Sequence, residues 1–173
     1  TGSTGTRTAE SYEGESAAAS LLVIEYSEAA ESICNVLIDS EGFESGFGIW
    51  NDGGDDCIRS ASNANSGSYS IDLQDDTNTS VLTTNNLDLS SYGEIEVSFS
   101  YYPVSMDNSG EDFWLQMSTD GGLNFYTVEE WNRGDEFENN ERYNEIVKVP
   151  GPFTANTQMR FRCDASGNAA DVY

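Results

Sequence analysis

Two short runs in the middle of the chain alternate strictly between apolar and polar residues. In the first, Ile95, Val97, Phe99 and Tyr101 alternate with Glu94, Glu96, Ser98 and Ser100. In the second, Phe113, Leu115 and Met117 alternate with Asp112, Trp114, Gln116 and Ser118. A period of two belongs to a strand with one face in a core and the other in water. The second run leads straight into Thr119-Asp120-Gly121-Gly122. An Asp-Gly pair supplies the positive φ that a tight hairpin turn demands. Further strand-like segments recur at 68–74, 80–83, 124–130, 144–149 and 158–163, with turn residues between them. That spacing predicts an all-β protein built as an antiparallel β-sandwich.

Charge narrows the partners. The chain has 31 Asp and Glu against 7 Lys and Arg, a net charge of −24. Such a surface repels phosphate backbones and anionic headgroups, so nucleic acid is not an expected partner. It suits a salty medium that screens self-repulsion over about 8–10 Å. The longest aliphatic run, Leu21-Leu22-Val23-Ile24, is too short to span a bilayer, so membrane insertion is not expected.

The absence of histidine removes imidazole acid–base chemistry and imidazole metal ligands. Three cysteines, Cys34, Cys57 and Cys163, contain no close-set pair of the kind that holds zinc. Cys57 with Cys163 is a candidate disulfide, nominally worth about 4.7 kcal/mol in chain entropy. Cys163 also shares the apolar phase of its strand with Met159 and Phe161, which reads equally well as a buried free thiol.

From Gly42 onward the order of features resembles the MAM-type jelly-roll module of extracellular proteins and its bacterial relatives. The residues that carry the resemblance are Phe43-Glu44-Ser45-Gly46-Phe47 with Trp50, and Gly67-Ser68-Tyr69-Ser70. Leu87-Asp88-Leu89-Ser90 then precedes Val97 to Tyr102, followed by Asp112-Phe113-Trp114-Leu115 and Arg160-Phe161-Arg162-Cys163-Asp164. The resemblance implies a jelly-roll β-sandwich in a large secreted or cell-surface protein, of bacterial origin. The family closes with a strand carrying two adjacent aspartates, so the final strand is expected to be incomplete at Tyr173. Gly5 to Tyr12 and Leu21 to Tyr26 resemble instead the closing strands of another surface β-sandwich. The expected organisation is therefore tail strands and a linker over 1–33, then the jelly roll over 34–173.

Jelly-roll modules of this type often hold calcium where an early glutamate meets loop aspartates. Glu44 stands at the matching position, and Asp75, Asp76 and Asp112 are the companion candidates for metal ligands. Calcium takes six to eight oxygen ligands, which carboxylates and loop carbonyls supply. Ser118 to Phe125 resembles an Asp-box hairpin, in which the aspartate ties its own turn together. Trp114, Tyr126 and Trp131 are candidates for an aromatic platform that stacks on sugar rings, and the favoured alternative is that the other sheet or the loop 132–142 covers this face with Trp131 as its plug. Glu111-Asp112 and Glu129-Glu130 are adjacent carboxylates, which a strand points to opposite faces, so no catalytic residue is assigned.

These readings lead to three functional expectations. The first is a non-catalytic extracellular structural or adhesion module, stabilised by calcium. The second is a carbohydrate-binding module attached to a secreted enzyme, with extracellular polysaccharide as partner. The third is a fibre subunit whose residues 1–30 add a strand to a neighbouring copy, since unpaired strand edges seek partners.

Overall fold

The computed structural model describes residues 4–10, 21–27, 36–165, 167 and 170–173, with side chains from residue 36 onward. The chain divides into two compact units, Thr1–Ile38 and Asp39–Tyr173. The expected boundary at residues 33 and 34 lies outside the described residues, as does Cys34. In the first unit, β1 (Thr4–Glu10) pairs antiparallel with β2 (Leu21–Ser27), from Thr4 opposite Ser27 to Glu10 opposite Leu21.

The second unit is an antiparallel β-sandwich. One layer joins β3 (Trp50–Asp52), β6 (Val81–Thr84), β9 (Asp112–Ser118), β10 (Tyr126–Asn132) and β12 (Gln158–Asp164). Its spatial order is β10-β9-β12-β6-β3. The other layer holds β4 (Cys57–Ser60), β5 (Ser70–Gln74), β7 (Glu94–Tyr101), β8 (Pro103–Val104), β11 (Tyr143–Pro150) and β13 (Asp171–Val172). It forms two ladders, β11-β7 and β4-β5-β13-β8. The described residues contain no helix, and none long and apolar enough to cross a membrane.

The alternating runs do what their period requires. Ile95 and Tyr101 of β7 and Phe113, Leu115 and Met117 of β9 are buried between the layers. Phe99 stands at the centre of an aromatic cluster, 4.7 Å from Phe161, 5.4 Å from Trp131 and 6.2 Å from Phe113 between ring centroids. Phe113 and Phe161 lie on neighbouring strands and stack at 5.5 Å with a 9° interplanar angle. Pairs of this kind add about 0.5–1.5 kcal/mol each beyond their area burial. A smaller cluster of Leu89, Ile95, Met117, Val149 and Phe153 closes one end of the core.

The hairpin between β9 and β10 turns on Gly121 and Gly122, at φ 76° and 87°. Asp120 ties it together: Oδ1 accepts from the Asn124 N–H at 3.0 Å and the Ser118 hydroxyl at 2.7 Å. Those donors hold its carboxyl well below the usual range, at about 2, with the Asn124 side-chain amide the largest cause.

The acidic stretch 51–56 is a crossing between layers rather than a plain loop. Strand β3 pairs with β6 in one layer, and β4 pairs with β5 in the other. Asp56 anchors the crossing by accepting from the hydroxyls of Thr77 and Thr79.

The candidate disulfide is not formed. Cys57 and Cys163 are both buried free thiols. They sit on β4 and β12, in opposite layers, and share the same core cluster.

Candidate functional site

The outward face of the five-stranded layer carries the most organised set of polar and aromatic side chains. Register builds it. Gln158, Arg160, Arg162 and Asp164 of β12 stand opposite Ser118, Gln116, Trp114 and Asp112 of β9. The residues between them, Phe161, Cys163, Phe113 and Leu115, are buried in the core, so Arg160, Arg162, Gln116 and Trp114 emerge on the other side.

Across this face runs a ladder of planar groups. The Arg160 Nε–H donates to the Gln116 amide oxygen at 2.7 Å. The Gln116 amide nitrogen donates in turn to the Thr127 hydroxyl on β10 at 3.2 Å. The Arg160 guanidinium lies 3.9 Å from the centroid of the Phe125 ring. Burial, and then the neighbouring Arg162 charge, lowers the Arg160 pKa from its ordinary value. Beside this row, the Arg162 guanidinium lies 5.3 Å from the Trp114 ring and donates to Asp76 Oδ1 at 2.9 Å.

Two polar atoms beside Trp114 have no partner. The Arg162 Nε–H and Asp112 Oδ1 are buried without a hydrogen-bond partner among the described residues. Asp112 precedes Trp114 by two positions on the same face, and Arg162 stands directly opposite it. Burial, followed by the charges of Glu130 and Asp164, pushes the Asp112 carboxyl up to about 6. Asp164 is raised as well, by burial first and then by Asp76. The half-buried indole is thus flanked by one donor and one acceptor that are buried and unpaired.

The aromatic platform expected from the sequence does not assemble as a trio. Trp114 is half-exposed on the outward face. Trp131 is 5 % exposed and packs against Phe99 and Phe113, so it offers no face to a sugar. Tyr126 is exposed but pairs in register with Met117, a core residue, and so leaves the sheet on the opposite side from Trp114. Phe125, just before β10, joins the face through Arg160 and was not singled out in the sequence.

The four calcium candidates do not converge. Glu44 Oε1 accepts from the backbone N–H groups of Ser68 and Tyr69, at 2.9 and 3.0 Å, and so braces the entry to β5. Asp75 sits at φ 60° and its Oδ1 accepts from the Asp76 N–H at 2.7 Å. Asp76 is paired with Arg162 of β12. Among the described residues no three carboxylate or thiol groups are arranged as metal ligands.

A second acidic feature lies on the other layer. Asp72 and Asp171, 3 % and 8 % exposed, each keep one buried carboxylate oxygen without a partner. The Gln74 amide donates to Asp72 Oδ2 at 3.3 Å, and the Tyr173 hydroxyl to Asp171 Oδ2 at 3.2 Å. Burial, and then the Asp171 charge, pushes the Asp72 carboxyl up to about 7. Alternation in the sequence assigns Asp72 to a solvated face, yet it is buried, with Asp171 and Tyr173 of the β13 segment among its neighbours.

No protein-family model matches the sequence, and no curated protein matches it. Among solved structures, the chain is similar to a family 16 carbohydrate-binding module, with a TM-score of 0.53 and 17 % identity over 80 % of this chain and 94 % of that one. It is also similar to the K2 cleaved adhesin domain of Lys-gingipain, with a TM-score of 0.43 and 17 % identity over 72 % of this chain and 84 % of that one. At 17 % identity the likeness to the carbohydrate-binding module shows a shared β-sandwich fold.

Proposed function

We propose that the chain is a non-catalytic extracellular binding module that engages polysaccharide through the outward face of its five-stranded layer. The observation that carries this reading is Trp114, with the unpartnered Arg162 Nε–H and Asp112 Oδ1 on either side of it. A sugar ring laid on the indole brings hydroxyls to both atoms after a small side-chain rotation. Arg160, Gln116 and Phe125 extend the same face for further residues of a polymer. The fold shared with a family 16 carbohydrate-binding module supports the reading. The MAM-type resemblance adds adhesion at a cell surface as the setting in which such binding would act. Calcium is no part of the proposal, because its candidate ligands lie apart.

Gel electrophoresis of the purified chain through embedded polysaccharides tests it, followed by titration calorimetry with any glycan that retards migration. At least one neutral or cationic polysaccharide should retard the chain. Trp114→Ala should weaken binding about tenfold or more, equivalent to about 1.4 kcal/mol. Equal binding by the wild type and Trp114→Ala would remove this face from the function.

A further inference from the structure

Carboxyl groups crowd the strand positions beside Trp114. Strands β10, β9 and β12 lie side by side, and their register sets rows of residues across the outward face. In one row Glu130, Trp114 and Arg162 stand abreast. In the next, Asn132, Asp112 and Asp164 do. Residues abreast on antiparallel strands have Cβ atoms about 4.5–5.5 Å apart, and long side chains also reach their diagonal neighbours. Glu130 is exposed, while Asp112 and Asp164 are half-buried.

The outcome is a pair of carboxyl–carboxyl contacts. The Glu130 side chain comes within hydrogen-bond reach of Asp112, and the Asp76 side chain within hydrogen-bond reach of Asp164. Carboxylates that close together cannot both ionise without a cation to join them. Burial raises the pKa of Asp112 and of Asp164, and the charges of Glu130 and Asp76 respectively raise them further. Glu136 adds to the negative field at Asp112. The neighbouring guanidiniums are engaged elsewhere. Arg162 is paired with Asp76, and Arg160 donates to Gln116 against the Phe125 ring. Among the described residues no cationic side chain forms an ion pair with Glu130 or Asp112.

We propose that this face selects polysaccharides with free amino groups, that is, unacetylated hexosamine units, and that Glu130 and Asp112 are the specificity-determining pair. The inference rests on the reading of Trp114 as the stacking platform. A pyranose ring seated on the indole carries its amino group at the rim, and Glu130 borders the indole on the β10 side. An ammonium has three donors and no acceptor, so it bonds both carboxylates at once and supplies the charge that lets both ionise. A hydroxyl in the same place leaves the like charges uncompensated, and a uronic acid adds to them. A lysine side chain brings the ammonium without the ring. A metal ion needs convergent ligands, and no three of these groups are arranged as such. The net charge of −24 draws any polycation towards the protein, so recognition has to be separated from bulk attraction.

Titration calorimetry on the full chain at physiological ionic strength tests this. It compares an oligomer of β-linked glucosamine with its N-acetylated counterpart, with an oligolysine of equal charge as control. The glucosamine oligomer should bind about tenfold or more tighter than the acetylated one, the scale of a charge-assisted hydrogen bond. Trp114→Ala should weaken both. Glu130→Gln, at an exposed position, should abolish the preference and keep the affinity for the acetylated oligomer. Glu96→Gln, exposed on β7 in the other layer, removes the same charge and should leave the preference intact. Equal or tighter binding of the acetylated oligomer overturns the proposal, and if that binding is lost in Trp114→Ala the platform reading still stands. Oligolysine that binds as tightly as the glucosamine oligomer overturns it, as do equal effects of Glu96→Gln and Glu130→Gln, because the surface then reads charge alone. Failure of both oligomers to bind overturns it too, and leaves other polysaccharides to the electrophoretic test. Glucosamine binding that Trp114→Ala does not weaken overturns this proposal and the platform together.

Discussion

Arg160 and Gln116 face each other across β12 and β9, and the guanidinium Nε–H donates to the amide oxygen at 2.7 Å. The contact fixes two planar groups edge to edge on a sheet surface. It also holds Arg160 against the Phe125 ring, so one bond organises three side chains on the proposed binding face. Gln116→Ala should therefore act on both stability and binding. A charge-assisted hydrogen bond at a half-exposed site is worth about 1 kcal/mol, and urea denaturation should show a loss of that size. Calorimetry with a bound glycan should show weaker affinity, and Gln116→Glu, which keeps an acceptor, should restore most of the stability.

Trp114 and Trp131 are separated by burial. Trp131→Ala removes a core side chain, and about 3–5 kcal/mol of unfolding free energy should go with it. Trp114→Ala removes a half-exposed ring and should cost about 1 kcal/mol or less. Comparable losses from the two substitutions would place Trp114 in the core.

Stability should fall as pH rises from about 4 towards 7. The Asp72 carboxyl is pushed up to about 7 by burial and by Asp171, and Asp112 to about 6 by burial and its acidic neighbours. Both sit near 3.9 in the unfolded chain. Between those values the folded state binds more protons, so the free energy of unfolding drops as pH increases. Asp120, held at about 2, acts in the opposite sense: its stabilisation is present above about 4 and disappears towards pH 2. Melting curves should peak in mildly acidic buffer, and Asp72→Asn should flatten the decline between pH 5 and 7. A maximum at pH 8 in the wild type would contradict the buried pair.

The two buried thiols should resist chemistry until the chain unfolds. Burial raises the Cys57 thiol to about 12, and burial joined by the Asp164 charge raises Cys163 well above the ordinary thiol range. Alkylation of the native protein followed by peptide mapping should leave both unmodified. Denaturation without reductant should expose both to the reagent. Failure of that second step would reveal a disulfide.

Glu44 should behave as a brace. Its Oε1 satisfies the N–H groups of Ser68 and Tyr69. Glu44→Ala should lower stability by about 1 kcal/mol and speed exchange of those two amides. Glu44→Gln, which keeps an oxygen acceptor, should lose less on both measures.

The strands were legible wherever polarity alone marks a face. The alternation in 94–101 and 112–118 required nothing but a two-sided environment, and β7 and β9 follow it except at Ser118, which is buried where the turn begins. The Asp120 turn was equally local, since its partners lie within four residues. Trp131 stood open between a platform and a buried plug, and the register shift of β10 between Thr127 and Glu129 decides for burial. The bulge inserts one residue and reverses the phase of every position after it, which sends Trp131 inward alongside Val128.

The meeting of distant side chains belonged to the fold. Nothing local to Trp114 and Gln116 names Arg162 and Arg160 as their neighbours; the pairing of β9 with β12 does, across more than forty positions of sequence. Asp72 is a solvated strand residue by its own alternation, and in the fold it is a buried group beside Asp171 whose carboxyl is pushed up. Side-chain polarity is a property of each residue and can be read in order. Register and layer stacking arise from contacts between segments far apart in the chain, and those contacts place the charges that make the site.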